Sequence, residues 1–128
     1  MTVADFRHPA ILLVEDDPAV VNALTFSFEL EGFDVCAYAD GESLLASTPL
    51  PTRGCLVLDY NLPGIDGLAL LEQLRAARVT LPAILITTNP RRALRAQAAL
   101  AGVQIIEKPL LTDALRDSVR DALAAVVQ

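Results

Sequence analysis

Four short apolar runs constrain this chain more than any other feature, because each delivers a reactive or charged residue at its end. Ile11-Leu12-Leu13-Val14 leads into Glu15-Asp16-Asp17, and Cys55-Leu56-Val57-Leu58 into Asp59. Ala83-Ile84-Leu85-Ile86 leads into Thr87, and Val103-Gln104-Ile105-Ile106 into Glu107-Lys108-Pro109. A short apolar run bounded by turn residues reads as a strand buried on both faces, the kind that builds parallel sheets. If all four belong to one sheet, their carboxyl ends share an edge. In open α/β sheets that edge is where ligands bind.

The segments between the runs read as helices. Asp17-Pro18 is a start signal, with Asp at the cap and Pro in the first turn. Val21, Leu24 and Phe28 follow on one helical face, and Gly32 reads as the stop. A second strand is expected over 34–38, a short helix over 40–47 and a loop over 48–54. The spacing predicts a helix over 66–78 with Leu70, Leu71 and Leu74 inward, and another over 90–101 closed by Gly102. Thr112 is expected to cap a last helix that carries Leu115, Val119, Leu123 and Val126. Strand–helix alternation of this kind argues for one α/β domain, a parallel sheet with helices on both faces. Residues 1–8 read as a lead-in and 9–128 as the domain.

Bulk properties exclude several classes. At 128 residues with 53% hydrophobic content, the chain can bury one substantial core and does not resemble a disordered segment. A mean hydropathy of +0.44 invites a membrane reading. However, no stretch reaches the ~18 apolar residues a spanning helix needs. The apolar run near the N-terminus is followed at once by three acids, unlike a secretory signal, so a cytoplasmic location is expected. A net charge of −6 argues against direct nucleic-acid binding. Cys36 and Cys55 fall in apolar runs and read as buried, inert thiols. His8 is the only histidine and sits in the lead-in, so histidine-based catalysis and a zinc site are not expected.

The common edge has a definite chemistry. Magnesium takes hard oxygen ligands and keeps several waters. Asp16 and Asp59, at neighbouring strand ends, supply two direct carboxylates. Glu15 supplies a contact through water, and the Asn61 backbone carbonyl is the expected loop ligand. A bound cation would relieve repulsion among these acids. One carboxylate could then attack phosphorus, as in aspartyl-phosphate chemistry. Lys108 offers a point charge and Thr87 a hydroxyl to the phosphoryl oxygens. Taken singly, the acid triplet is a solvated turn with a helix cap, Lys108 a surface lysine and Thr87 a strand-end residue. Their joint placement at four strand ends carries the reading.

These residues, in this order, resemble the CheY-like receiver domain of bacterial two-component response regulators. The resemblance rests on Ile11-Leu-Leu-Val-Glu15-Asp16-Asp17-Pro18, Leu58-Asp59-Tyr-Asn-Leu-Pro63-Gly64-Ile-Asp66-Gly67, Ile86-Thr87-Thr88 and Glu107-Lys108-Pro109, and it covers about residues 10–127. It implies a flavodoxin-like, doubly wound α/β fold with a five-stranded parallel sheet in order 2-1-3-4-5 and five helices. It further implies that Asp59 accepts a phosphoryl group from a histidine kinase or phosphotransfer protein. Glu15, Asp16 and Asp59 would then form the magnesium pocket, Asp17 would serve as helix cap, Lys108 would contact the phosphoryl group, and Thr87 would move toward it. The Lys108-Pro109 bond would be cis. The implied strand order also separates Cys36 from Cys55 beyond disulfide reach. Such a domain is a switch that catalyses its own phosphorylation and dephosphorylation rather than an enzyme acting on a separate substrate. It acts on an output partner that the sequence does not identify, as a monomer or homodimer.

Three places depart from the family pattern. Ile105 stands where an aromatic switch residue is usual, which puts the coupling from Thr87 to the surface in question. Thr88 replaces a small residue and is expected to crowd the phosphoryl site. Arg91, Arg92 and Arg95 cluster at a helix N-terminus, where positive charge is unfavourable, and read as a solvated face or as a dock for an acidic partner. Two other functions remain to be weighed. A phosphatase of the haloacid dehalogenase type needs an acid two residues after its nucleophile, where this chain has Asn61. An unphosphorylated interaction module would have no use for an intact acid pocket.

Overall fold

The computed structural model describes residues 8–108 and 114–127. Among these, five strands and five helices alternate: β1 (Ala10–Val14), α1 (Pro18–Leu30), β2 (Asp34–Tyr38), α2 (Gly41–Leu45), β3 (Gly54–Asp59), α3 (Gly67–Ala76), β4 (Ala83–Thr87), α4 (Arg92–Ala101), β5 (Gln104–Glu107) and α5 (Ala114–Val127). The strands form one parallel sheet in order β2-β1-β3-β4-β5. That is the doubly wound, flavodoxin-like arrangement that the family resemblance implies. The chain reverses direction across the sheet between β1 and β3, and ligands bind at such a switch point.

β1 and β3 are buried at every residue, which explains their unbroken apolar sequences. Alternate side chains divide the core in two. Leu12, Val14, Leu56, Leu58 and Leu85 pack against Leu44 of α2, Leu70, Leu71 and Leu74 of α3, and Leu94 of α4. Ile11, Leu13, Val57, Ile84 and Ile86 pack on the other face against Leu24 and Phe28 of α1 and Leu115 and Val119 of α5. Two arginines of α5, Arg116 and Arg120, both pair with Glu31 at the end of α1, tying together the two helices of that face. Sequence spacing gives no hint of this link.

Helix starts follow the aspartates. Asp17, Asp40 and Asp66 accept backbone N–H bonds from Ala19 (3.0 Å), Ser43 (2.8 Å) and Ala69 (2.8 Å). Asp40 and Asp66 are therefore caps just outside α2 and α3, not their first residues as the sequence suggested. α4 also begins later than expected, at Arg92 rather than Pro90. Its C-terminus closes as anticipated, with Gly102 left-handed at φ 70°. The expected Thr112 cap, the inward Val126 and the cis Lys108-Pro109 bond involve residues 109–113 or the side chain of 126, which lie outside the described residues.

The cysteines need one correction. Both are free, but only Cys55 is fully buried, because Cys36 lies on edge strand β2 and is partly exposed. Cys36 is the register partner of Leu12 and Cys55 that of Ile11, so the two thiols pack into opposite halves of the core. Burial pushes the Cys55 thiol up to about 12, which leaves almost no thiolate at neutral pH. Burial, and then Asp34, raises Cys36 as well. An alkylating reagent at pH 8 is therefore expected to label Cys36 slowly and Cys55 not at all in the native protein, and both rapidly in urea. Peptide mass mapping checks this, and equal native labelling would contradict the burial pattern.

Candidate functional site

The carboxyl ends of β1, β3, β4 and β5 do meet. Glu15 and Asp16 follow β1, Asp59 ends β3, Thr87 ends β4, and Lys108 follows β5. Each of the three acids offers one carboxylate oxygen such that these atoms lie within 4.8 Å of one another. Glu15 and Asp59 are almost fully buried, at 1% and 3% exposure, whereas Asp16 is exposed. The cluster therefore meets solvent at Asp16.

Lys108 reaches back over this cluster. Its Nζ donates to Glu15 Oε1 at 2.9 Å and to Asp59 Oδ2 at 3.1 Å. Its backbone N–H donates to the Thr87 carbonyl at 2.7 Å, which fixes the lysine to the end of β4. Burial alone would lower the Lys108 ammonium, but hydrogen bonds to Glu15 and Asp59 and their charges outweigh it, so it titrates above its ordinary value. Burial is also the main reason the Glu15 carboxyl is raised. The Lys108 and Asp17 hydrogen bonds pull it back, and the charge of Asp59 pushes it up further. Three carboxylates thus face one ammonium, an imbalance that favours a further cation.

Other expected residues are placed as follows. Asn61 N–H donates to Asp59 Oδ1 at 3.2 Å, so the loop after β3 folds against the carboxylate. Thr87 is buried at 2% exposure, while Thr88 is exposed. Ile105 is partly buried and packs on the α2–α3–α4 half of the core, the face shared by Thr87 through strand alternation. Arg95 does not project freely: it pairs with Glu107. Arg91 and Arg92 remain exposed.

Gly67 belongs to the site although the sequence reading gave it no role. Its N–H donates to the Tyr60 carbonyl at 3.0 Å, and a Cβ built on it would lie 2.4 Å from the Asp59 carbonyl oxygen. Only glycine lets the start of α3 seat against the end of β3. The Asp66-Gly67 pair shortly after a strand end was the available signal.

The hard-oxygen donor set fits a magnesium-type cation. The sheet is doubly wound, with three acids and a lysine gathered at its switch point. The chain belongs to the response regulator receiver domain family, whose model matches residues 11–120. It is 40% identical over 114 residues to the C4-dicarboxylate transport transcriptional regulatory protein DctD of Pseudomonas aeruginosa, covering 88% of this chain and 25% of that protein. It is 31% identical over 114 residues to the transcriptional regulatory protein FixJ of Bradyrhizobium diazoefficiens, covering 88% of this chain and 56% of that one. This chain therefore spans about a quarter to a half of the relatives it matches. Among solved structures, a CheY-like response regulator receiver domain protein from Methanospirillum hungatei JF-1 superposes with a TM-score of 0.84 at 25% identity, covering 92% of this chain and 95% of that one. No helix among the described residues is long and apolar enough to cross a membrane.

Proposed function

We propose that this chain is a phosphoacceptor switch of a two-component system, acting in the cytoplasm, and that Asp59 takes its phosphoryl group from a phosphohistidine of a kinase or phosphotransfer protein. The observation that carries this reading is Lys108 Nζ bonded at once to Glu15 and Asp59, with Asp16 beside them. In the transfer, an Asp59 carboxylate oxygen forms the new P–O bond as the P–N bond of the donor breaks. The electron pair of that bond stays with the donor imidazole.

Phosphoryl transfer asks for positioning and charge compensation rather than covalent help from the protein. Asp16, Asp59 and the Asn61 carbonyl would hold magnesium directly and Glu15 through water, and the bound cation supplies charge neutralisation at the phosphoryl oxygens. Lys108 exchanges its contact with the Asp59 carboxylate for one with a phosphoryl oxygen. Thr87 turns its hydroxyl toward another, and Ile105 moves into the volume that it leaves. Exposed Thr88 borders the entry to Asp59.

The test is incubation with acetyl phosphate and magnesium followed by intact mass and peptide mapping. One added phosphoryl group at Asp59, absent when the metal is chelated, is expected; no gain would overturn the reading. Magnesium alone should raise the unfolding free energy by about 2.7 kcal/mol at a hundredfold excess over its Kd. Asp16→Ala should remove most of that gain in thermal melts.

A further inference from the structure

α4 is held differently from the helices before it. α1, α2 and α3 each have an aspartate cap that accepts a backbone N–H. The cap position of α4 is Arg91, which makes no side-chain cap bond, and its first turn contains no acid. Arg91, Arg92 and Arg95 instead load the positive end of the helix dipole with further positive charge. Its buried residues are Leu94 and Ala98. Leu94 packs its first turn into the core, and the polar tie between these turns and the sheet is the ion pair from Arg95 to Glu107, the last residue of β5.

Glu107 occupies a sensitive place. It is the register partner of Thr87, and by alternation the two side chains share the α4 face of the sheet. The next residue is Lys108, whose N–H is bonded to the Thr87 carbonyl and whose Nζ is bonded to Asp59. Ile105, two residues earlier on the same face, offers neither a ring nor a hydroxyl. The polar connection from the phosphoryl site toward α4 therefore passes beside Thr87 through Glu107 to Arg95.

We propose that Arg95 is a positioning residue for the phosphoryl site: its pair with Glu107 clamps α4 against the strand end that carries Lys108, and so opposes the shift of Thr87 toward Asp59. This rests on the phosphoacceptor reading. Thr87 is buried, so its movement needs its neighbours to yield. A clamp that favours the resting arrangement lowers the population ready to accept a phosphoryl group. The coupling is reciprocal, so phosphorylation should loosen the pair in turn. An exposed ion pair is a modest, salt-screened interaction, which sets the size of the effect.

The experiment measures initial rates of phosphoryl uptake from acetyl phosphate with magnesium, at low and high salt, for the native chain, Arg95→Gln, Glu107→Gln, the double variant and Arg95→Lys. Each Gln variant should react about two- to fivefold faster at low salt. The double variant should match the singles rather than multiply them, as for residues acting as a pair. Arg95→Lys should stay near the native rate, and the ratios should fall toward one at high salt. Unchanged rates, multiplicative effects, or a loss of thermal stability without a change in rate would overturn the clamp while leaving Asp59 as phosphoacceptor. A native chain that takes up no phosphoryl group would overturn both.

Discussion

Lys108→Met is expected to lower the unfolding free energy at pH 7 without magnesium by roughly 2–3 kcal/mol, and to slow phosphoryl uptake by about a hundredfold. The stability loss follows from stranding Glu15 and Asp59, which are 1% and 3% exposed, without their ammonium. It falls short of the about 3–5 kcal/mol typical of fully buried pairs because the Lys108 side chain keeps 23% exposure. The rate loss follows from the proposed role of Lys108 as donor to the transferred phosphoryl group. Asp59→Asn should act in the opposite sense on stability. It leaves two carboxylates facing one ammonium, relieves Glu15, and should stabilise the metal-free protein by about 1 kcal/mol while abolishing phosphoryl uptake. The pH dependence has a definite sign. Glu15 titrates above its ordinary value of 4.5 in the folded protein, so its contribution is most favourable below that pH and is lost as the pH rises through the folded value. The Lys108→Met penalty should therefore shrink as the pH falls toward 5. The contribution of Lys108 itself persists up to pH 10.5 and is lost as the pH rises through its higher folded value. Urea denaturation from pH 5 to 8 checks the Glu15 effect; a penalty that grows on acidification would contradict it.

The sequence makes the sheet edge legible because apolar runs and their terminal polar residues are local patterns. A strand buried on both faces admits little but aliphatic side chains, and the next polar residue marks where it leaves the core. That suffices to bring Glu15, Asp16, Asp59, Thr87 and Lys108 to one rim, while the strand order came only with the family resemblance. Helix starts are read less sharply, since Asp40 and Asp66 look the same in sequence whether they cap a helix or begin it. Pairings between elements are not legible at all. Arg95 is 12 residues from Glu107, and Arg120 is 89 residues from Glu31. Nothing in spacing or composition selects one partner among many exposed charges; the crossing of α4 over β5 and of α5 beside α1 does. The partial exposure of Cys36 is not local information either. An edge strand and a central strand have similar apolar sequences, and only the sheet order distinguishes them.

Gly67→Ala tests how tightly the strand that ends at Asp59 is seated. In a helix, Ala is favoured over Gly by about 1 kcal/mol, and it also narrows the unfolded ensemble, so on helix propensity alone the change should stabilise. Sterics oppose this. The new Cβ would lie 2.4 Å from the Asp59 carbonyl oxygen and 2.9 Å from Leu85 Cδ1. The Leu85 methyl can rotate away, but the carbonyl belongs to the end of a central strand and cannot yield without shifting Asp59 or the start of α3. Overpacking should win, with a net loss of about 2–3 kcal/mol in urea denaturation. Gly102→Ala is the matched control. It has nothing within 4 Å, but its φ of +70° is costly for any side chain, so it should lose roughly 1 kcal/mol. The two variants separate in function. The Gly102 strain sits at the end of α4, away from the acid cluster, and should leave phosphoryl uptake near the native rate. The Gly67 strain falls on the backbone of Asp59, the proposed nucleophile, so uptake should drop several-fold even in protein that remains folded. Equal rates for the two variants would mean that the end of β3 has slack, and that the placement of Asp59 depends on its bonds to Lys108 and Asn61 rather than on the close seat of α3.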